Sequence, residues 1–366
     1  MTRVVCLLAL AICVSTTWAE TPKRTAPQVE VVFCLDTTGS MGDVLEVMTQ
    51  KIFALCGQIK AGKPAPDLKV GFVAFKDRED VYVTKVVPLT SDLDEIYEEL
   101  KTWKAGGGGD TPESVNQALN EAVEKIKWDP ASRTMKLIFL IGDAPPHMDY
   151  KDDVKYVETC KLAVKKGITI NAVRNGTNAA CANHFGTIAG LTKGQFLTVP
   201  QDGGKGLNIP TPQDKRLAEI NAELIKLAMP FGPKSAEYRK KLDAMSKLSE
   251  MAAADRAVLE ARRGDPNESD LAEMAAAGKT NVEEVPAAEL PAEVNRQAAG
   301  DRARFLAGIT KRRVAFSKEA GDLDTKRAAF LLKTQKEMAK KNPQKTFDQQ
   351  MVEVLRKQAA RYGIGY

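Results

Sequence analysis

The chain is poor in histidine, with only His147 and His184 in 366 residues. Histidine is the side chain that most often serves as a general base near neutral pH and as a ligand for zinc. His147 follows two prolines, which is typical of a loop residue, and His184 has only Cys181 as a nearby second ligand. Two ligands do not make a zinc site. The scarcity of histidine therefore argues against a zinc centre and against a serine hydrolase.

Long apolar runs are missing after residue 19, and the 28% content of charged residues is ordinary for a globular protein. Residues 1–19 differ: Arg3 precedes an apolar run over residues 4–14, and Thr17 and Ala19 are small residues at positions −3 and −1 of a cut before Glu20. This pattern predicts a secretory signal, with an uncleaved membrane anchor as the alternative. We expect an exported protein, in the periplasm, at the cell surface or outside the cell, without a transmembrane span in the mature chain.

Cysteine is sparse as well, and export would place it in an oxidising compartment. Two of the six cysteines belong to the signal. Cys34 lies in a predicted strand and Cys56 far along the following helix, so these two are expected to be too far apart to bond. Cys160 and Cys181 form the better disulfide candidate, with free buried thiols as the alternative.

The stretch over residues 31–42 reads VVFCLDTTGSMG. Its five leading apolar residues predict a strand that is buried on both faces. Asp36, Thr38 and Ser40 follow at alternate positions, and the apolar spacing after Asp43 is helical. A carboxylate and two hydroxyls are thus expected at the carboxyl end of a central strand, where open α/β sheets hold ligands.

Two later segments lead to the same edge of the predicted sheet. Four glycines at 106–109 precede Thr111 at the start of a helix, and the apolar strand over residues 136–141 ends at Asp143. Strands also fit residues 68–75, 81–87, 167–173 and 195–199, with helices between most of them. This alternation predicts a doubly wound, mostly parallel sheet of six strands with helices on both faces.

Asp36, Thr38, Ser40, Thr111 and Asp143 offer only oxygen, which suits a hard cation such as Mg²⁺ or Mn²⁺. For the first three residues, capping of the next helix is the competing interpretation. Catalytic alternatives are weaker. The glycine run lacks the lysine of a phosphate-binding P-loop, and Thr38 stands where an aspartyl phosphatase would need a second carboxylate.

These five residues, on this order of strands and helices, resemble the metal-ion-dependent adhesion site of a von Willebrand factor A (VWA) domain. The segments LDTTGSMG, GFVAFKDRED, GGGGDTPES and LIGDAPPH resemble a bacterial, secreted branch of that family. The resemblance implies that hydroxyls of Thr38 and Ser40 coordinate the ion, and that Asp36, Thr111 and Asp143 do so directly or through water. It also implies one coordination position open to a partner's Asp or Glu carboxylate.

The second half contains no Cys, His or Trp after Pro210 and shows helical spacing throughout. Helices are expected from stripes at 217–227 and 238–248 and over 292–318, 323–340 and 347–361, with a poorly ordered span at 264–291. Residues 28–202 hold 20 Lys and Arg against 24 Asp and Glu, whereas residues 203–366 hold 30 against 23. The basic tail could contact an anionic envelope component or the acidic sheet domain. Nucleic acid is not expected, because aromatic residues are not interleaved with the basic ones.

The sequence thus predicts a signal at 1–19, a leader at 20–28, a VWA domain at 29–202, a linker at 203–212 and a charged helical region at 213–366. The expected function is that of a non-enzymatic binding or adhesion protein that captures a partner's carboxylate through Mg²⁺ or Mn²⁺. The alternative is an envelope scaffold that associates through its C-terminal helices, with a metal that only stabilises the sheet.

Overall fold

The computed structural model describes residues 26–109, 111–202, 209–340 and 347–366. The predicted signal at 1–19 lies outside these residues, as do most of the predicted leader and residues 203–208 of the predicted linker. Within the described residues, no helix combines the length and the apolar composition needed to cross a membrane.

Six strands form one sheet in the order β3-β2-β1-β4-β5-β6. All neighbouring strands are parallel except β2 and β3, which pair antiparallel. This arrangement confirms the predicted doubly wound sheet. The strands are β1 (Gln28–Asp36), β2 (Asp67–Phe75), β3 (Thr84–Thr90), β4 (Met135–Gly142), β5 (Ile168–Asn175) and β6 (Phe196–Val199).

Helices cover both faces of the sheet because the two central strands are apolar on both sides. Every residue of β1 and β4 is buried. Phe33 of β1 packs with α1 and α2 on one face, whereas Val32 packs with α3, α4 and α5 on the other. The five helices are α1 (Gly42–Lys60), α2 (Leu93–Thr102), α3 (Val115–Glu124), α4 (Tyr156–Lys165) and α5 (Ala179–Leu191).

The strand register brings polar strand ends together. Asp36 at the end of β1 pairs with Phe75 of β2, and Leu35 pairs with Ile141 of β4. Gly142 of β4 pairs with Arg174 of β5. Since parallel neighbours lie about 4.8 Å apart, the ends of β1, β4 and β5 form one continuous edge.

The second half of the chain is helical, as expected, but its helices differ from those predicted. The predicted helices at 292–318 and 323–340 are wrong in their bounds, because α10 is one turn long and α11 runs unbroken through Gly321 while packing against α6, α8 and α9. The span at 264–291 is not poorly ordered, since Leu271, Val282 and Leu290 are buried in a cluster with Leu306 and Ile309 of α11. The helices are α6 (Asp214–Lys226), α7 (Ser235–Ser246), α8 (Glu250–Ala261), α9 (Leu271–Ala276), α10 (Ala292–Asn295), α11 (Arg302–Ala339) and α12 (Phe347–Ala359).

The last helix, α12, belongs to the sheet domain. Met351, Val354 and Leu355 are buried in the same core cluster as β1, β4 and α1. Gln358 of α12 and Asn171 of β5 exchange two buried hydrogen bonds of 2.8 and 3.1 Å between their side chains. Helices α6–α11 are therefore inserted between the last strand and a helix that completes one face of the sheet.

The inserted helices contact α1 and α2 through charged side chains. Arg256 donates two hydrogen bonds of 2.6 and 2.7 Å to the carboxylate of Asp94, and both side chains are largely buried. Lys241 pairs with Asp92 at 2.7 Å. The basic half of the chain thus contacts the acidic sheet domain at these pairs. This contact is one of the two that were expected from its charge.

The four described cysteines are free and buried, so the pairing considered for Cys160 and Cys181 is not formed. The Cys160 thiol donates a hydrogen bond of 3.9 Å to the carbonyl of Ile188 on α5. Burial raises the pKa of Cys160 to about 12 and that of Cys181 to about 12, which keeps both thiols protonated and unreactive.

Substitution Leu355→Ala should lower the free energy of unfolding by about 2–5 kcal/mol, because it opens a cavity in the core shared by α12 and the sheet. The matched control on the same helix is Lys357→Ala, which removes an exposed ion pair with Glu353 and should change the stability by less than about 1 kcal/mol. Urea unfolding of the full chain measures both. Equal effects of the two substitutions would show that α12 is peripheral.

Candidate metal centre

Asp36 is the last residue of β1, and the chain folds back onto it at once. The backbone N–H and the hydroxyl of Thr38 both donate to Asp36 Oδ1, at 2.8 and 2.7 Å. A short 3-10 turn, Gly39–Met41, then leads into α1. Neither Thr38, the residue before this turn, nor Met41, the residue before α1, makes a side-chain capping bond. The capping interpretation of Thr38 and Ser40 therefore has no support in the structure.

The carboxylate of Asp36 is buried and forms no ion pair with a described residue, and Lys76 is the nearby cation that favours its charged form. The exposed fraction of Asp36 is 1%, and Oδ2 has no hydrogen-bond partner among the described residues. Burial raises the pKa of Asp36 to about 7, and the charge of Asp143 adds to the rise, although the hydrogen bonds from Thr38 oppose it. A buried carboxylate oxygen without a partner is costly. This oxygen is therefore suited to a cation.

The glycine loop is held by two charged residues that follow β2. Gly107 and Gly108 have positive φ angles of 79° and 77°, and Asp80 accepts a hydrogen bond of 3.1 Å from the N–H of Gly108. A Cβ at Gly107 would lie 1.9 Å from Asp80 Oδ1, so only glycine fits there. The Lys76 ammonium donates to the carbonyls of Thr37 and Gly106. The charged turn after β2 thus fixes the loop that leads to Thr111.

Glu113 is a second buried acid at this edge that sequence reasoning missed. It is 3% exposed, and its Oε2 has no hydrogen-bond partner among the described residues. Burial raises the pKa of Glu113 to about 9, with further contributions from the nearby carboxylates, Asp36 first. The sequence signal for this acid is its position two residues after Thr111, where it also fits the start of a helix.

The five predicted residues come together around a cleft of about 440 Å³. Thr38, Ser40, Thr111 and Asp143 line it, while Asp36 lies beneath Thr38. The hydroxyls of Thr38 and Ser40 are 3.4 Å apart. Neither histidine lines the cleft: His147 contacts Asp77, Asp149 and Tyr150, and His184 contacts Tyr156.

Gln201 is a further residue of the cleft that the sequence did not indicate. Its side-chain amide donates to Asp143 Oδ2 at 2.6 Å and to the carbonyl of Ser40 at 3.2 Å. Gln201 thus joins the ends of β1 and β4 from a position just after β6. No local pattern marks it, because its role depends only on where the chain passes after the last strand.

The donor set fits a hard divalent cation. Three hydroxyls and two carboxylates supply oxygen alone, and one carboxylate oxygen at the base of the cleft lacks a partner. The described residues contain no cluster of three or more His, Cys, Asp or Glu arranged to hold a metal. A metal here would consequently depend on the hydroxyls of Thr38, Ser40 and Thr111.

Known proteins match the first half of the chain. A family model described as "von Willebrand factor A domain" matches residues 30–198. An ariadne-like RING finger protein of Acanthamoeba polyphaga mimivirus is 21% identical over 54% of this chain, and the alpha-protein kinase vwkA of Dictyostelium discoideum is 29% identical over 34% of it. The match covers 20% of the length of each of these two relatives.

Solved structures match 48% of this chain. The SpRpn10 VWA domain aligns with a TM-score of 0.36 and 16% identity over 48% of this chain and 89% of its own length. Proximal thread matrix protein 1 from the mussel byssus, in a form described as having a zinc-occupied MIDAS motif, aligns with a TM-score of 0.38 and 18% identity over 48% of this chain and 43% of its own.

Substitution Asp36→Asn should raise the thermal midpoint of the metal-free chain above pH 7, because it removes a buried unpaired charge. In the wild type, the pKa of Asp36 is about 7 in the folded state and near 3.8 in the unfolded state, so the stability that it contributes is lost as the pH rises from about 4 to about 7. Asp36→Asn cannot ionise at this position, so it does not lose this stability as the pH rises. Thermal scans in chelator across this pH range, with exposed Asp43→Asn as the control, measure the difference.

Added Mg²⁺ should raise the thermal midpoint of the wild type and of Asp43→Asn, and leave that of Asp36→Asn unchanged. Parallel pH profiles of the wild type and Asp36→Asn in chelator would contradict the role assigned to the buried carboxylate.

Proposed function

We propose that this chain, whose residues 30–198 match the family model of the von Willebrand factor A domain, is an exported, non-enzymatic binding protein that captures a partner's carboxylate through Mg²⁺ or Mn²⁺. The observation that carries the proposal is the partnerless Oδ2 of buried Asp36 beneath a cleft lined by hydroxyls. Asp36, Thr38, Ser40, Thr111 and Asp143 are the proposed ligands, directly or through water.

Hydroxyl ligands explain why the ion would attract an acidic partner. Thr38, Ser40 and Thr111 donate oxygen without a negative charge, so they leave the cation electron-poor. Ser40 and Thr111 are exposed. A carboxylate from another protein could therefore complete the coordination at the open side of the cleft.

The non-enzymatic part of the proposal is supported by what lines the cleft. Its lining residues include no histidine, cysteine or lysine, so the cleft holds neither a Ser–His nor a Cys–His arrangement. Export is supported by the sequence of residues 1–19.

The test is selection of peptides from a displayed random library by the full chain in Mg²⁺ and in chelator. We expect Mg²⁺-dependent peptides that lose binding when one Asp or Glu is changed to Asn or Gln. Calorimetry should show an affinity for Mg²⁺ that falls more than about tenfold in Asp36→Asn and stays unchanged in Asp43→Asn. Peptides that bind equally in chelator, or that contain no required acid, would contradict carboxylate capture.

A scaffold that associates through its C-terminal helices is the second candidate, and α11 favours it. The side of α11 that faces the bundle carries Leu306, Ile309, Phe316 and Leu323, and the same spacing continues at Phe330, Thr334 and Met338. Phe330 and Met338 are 36% and 38% exposed. The apolar stripe therefore extends beyond the part of α11 that other helices cover.

Lysines accompany this uncovered end of α11. Lys326, Lys333, Lys336 and Lys340 form no ion pair with any described residue, and they offer a surface for an anionic envelope component. Sedimentation velocity of the full chain should show concentration-dependent association that Phe330→Ser weakens. Val314→Ser, an exposed position on the packed half of α11, is the matched control and should leave association unchanged.

A further inference from the structure

The cleft is larger than one carboxylate needs, and its second half has a different character. Beyond Asp143 it is lined by Asn175, Thr177 and Asn178, all neutral, from the end of β5 and the start of α5. The proposed metal ligands therefore occupy only one side of a cavity of about 440 Å³. This second side is called the β5 side below.

The β5 side meets the N-terminus of a 13-residue helix. Asn178 caps α5 by accepting a 3.0 Å hydrogen bond from the N–H of Cys181. The first backbone N–H groups, those of Ala179 and Ala180, have no acceptor within the helix, and both residues are exposed. A helix N-terminus carries a partial positive charge and favours anions.

A buried side chain at the same place lacks its partner. Asn175 is fully buried and lines the cleft, yet its Oδ1 accepts no hydrogen bond from any described residue. Its Nδ2 donates a long bond of 3.4 Å to the carbonyl of Pro200. A buried amide oxygen without a donor is costly, so a ligand that brings an N–H group would satisfy it.

A positive charge supports the β5 side from behind. Arg174 donates to the carbonyl of Asn178 at 3.2 Å and forms no ion pair with any described residue. Its Nε is buried without a partner. The helix terminus and the Arg174 guanidinium together make the β5 side attractive to a second anion, beside the cation that would hold the first.

We propose that the β5 side is a second acid-binding subsite, and that the partner segment is a peptide with two acidic residues separated by one residue. It rests on the proposed function, because the first acid binds the metal. The second acid binds at the N-terminus of α5 with the hydroxyl of Thr177, and a backbone N–H of the peptide donates to Asn175 Oδ1.

The separation of the two acids by one residue of the peptide follows from the distance between neighbouring strands of the sheet. Arg174 of β5 pairs with Gly142 of β4. Asn175 and Asp143 are the residues that follow this pair, so they lie side by side, about 4.8 Å apart. In an extended peptide, side chains two residues apart point the same way and are separated by about 6.6 Å. Two such carboxylates can therefore span from the metal side to the β5 side, whereas adjacent residues would point to opposite faces.

The requirement for an N–H donor at Asn175 distinguishes a peptide from free phosphate, which offers a second anion without an amide. The probes are therefore end-blocked synthetic peptides of sequence GDGDG, GDGNG and GNGNG, titrated into the full chain with saturating Mg²⁺. We expect GDGDG to bind about fivefold more tightly than GDGNG, as one charge at a helix N-terminus allows. GNGNG should not bind.

Variants of the β5 side should remove only the advantage of the second acid. With Thr177→Ala combined with Arg174→Gln, GDGDG should bind no more tightly than GDGNG, while the affinity for Mg²⁺ stays unchanged. The matched controls are Thr187→Ala, farther along α5, and Arg133→Gln, an exposed position before β4. Both should retain the fivefold difference.

Two results would overturn the inference in different ways. Equal affinities of GDGDG and GDGNG for the wild type, both dependent on Mg²⁺, would exclude the second subsite and leave carboxylate capture intact. Absence of Mg²⁺-dependent binding by either peptide would show that the subsite and the proposed function are both wrong.

Discussion

The carboxyl edge of the sheet is dominated by two buried acidic side chains whose ionisation is disfavoured, because burial raises the pKa of Asp36 to about 7 and that of Glu113 to about 9. Asp36 and Glu113 are both almost fully buried, and each has an oxygen without a partner. Lys76, the nearest cation, is bound to two backbone carbonyls, and Asp80 is occupied with the glycine loop. The loops at this edge are thus held around two acids whose ionised forms are disfavoured by burial, and a nearby divalent ion would stabilise those forms.

The sheet, and the meeting of five oxygen-bearing side chains at one of its edges, could be predicted from the sequence because each depends on local pattern. Buried parallel strands are continuous apolar runs, and a polar residue directly after such a run must lie at the edge of the sheet. Asp36 and Asp143 were found in this way. Glu113 and Gln201 were missed because their importance comes from the neighbours that folding brings to them, which no local spacing encodes.

The helical half shows where pattern reasoning fails. Apolar stripes located α6, α7 and α12, but two helices were predicted over residues 292–318 and 323–340, whereas packing on α6, α8 and α9 keeps α11 continuous from Arg302 to Ala339. The stretch at 264–291 has few large apolar residues, and the few it has are buried together. Local propensity is a weak guide where tertiary contacts decide the outcome. Nor could the sequence show that α12 returns to the sheet.

Because α12 packs on the sheet, helices α6–α11 are an insertion within the sheet domain and not a separate region that follows it. The strands are complete at Val199, yet the apolar side chains of α12 that cover one face of the sheet come from residues 351–355. During synthesis, the sheet domain keeps part of its core exposed until α12 has been made. A break of the backbone within the bundle would therefore leave α12 packed against the sheet through the shared core.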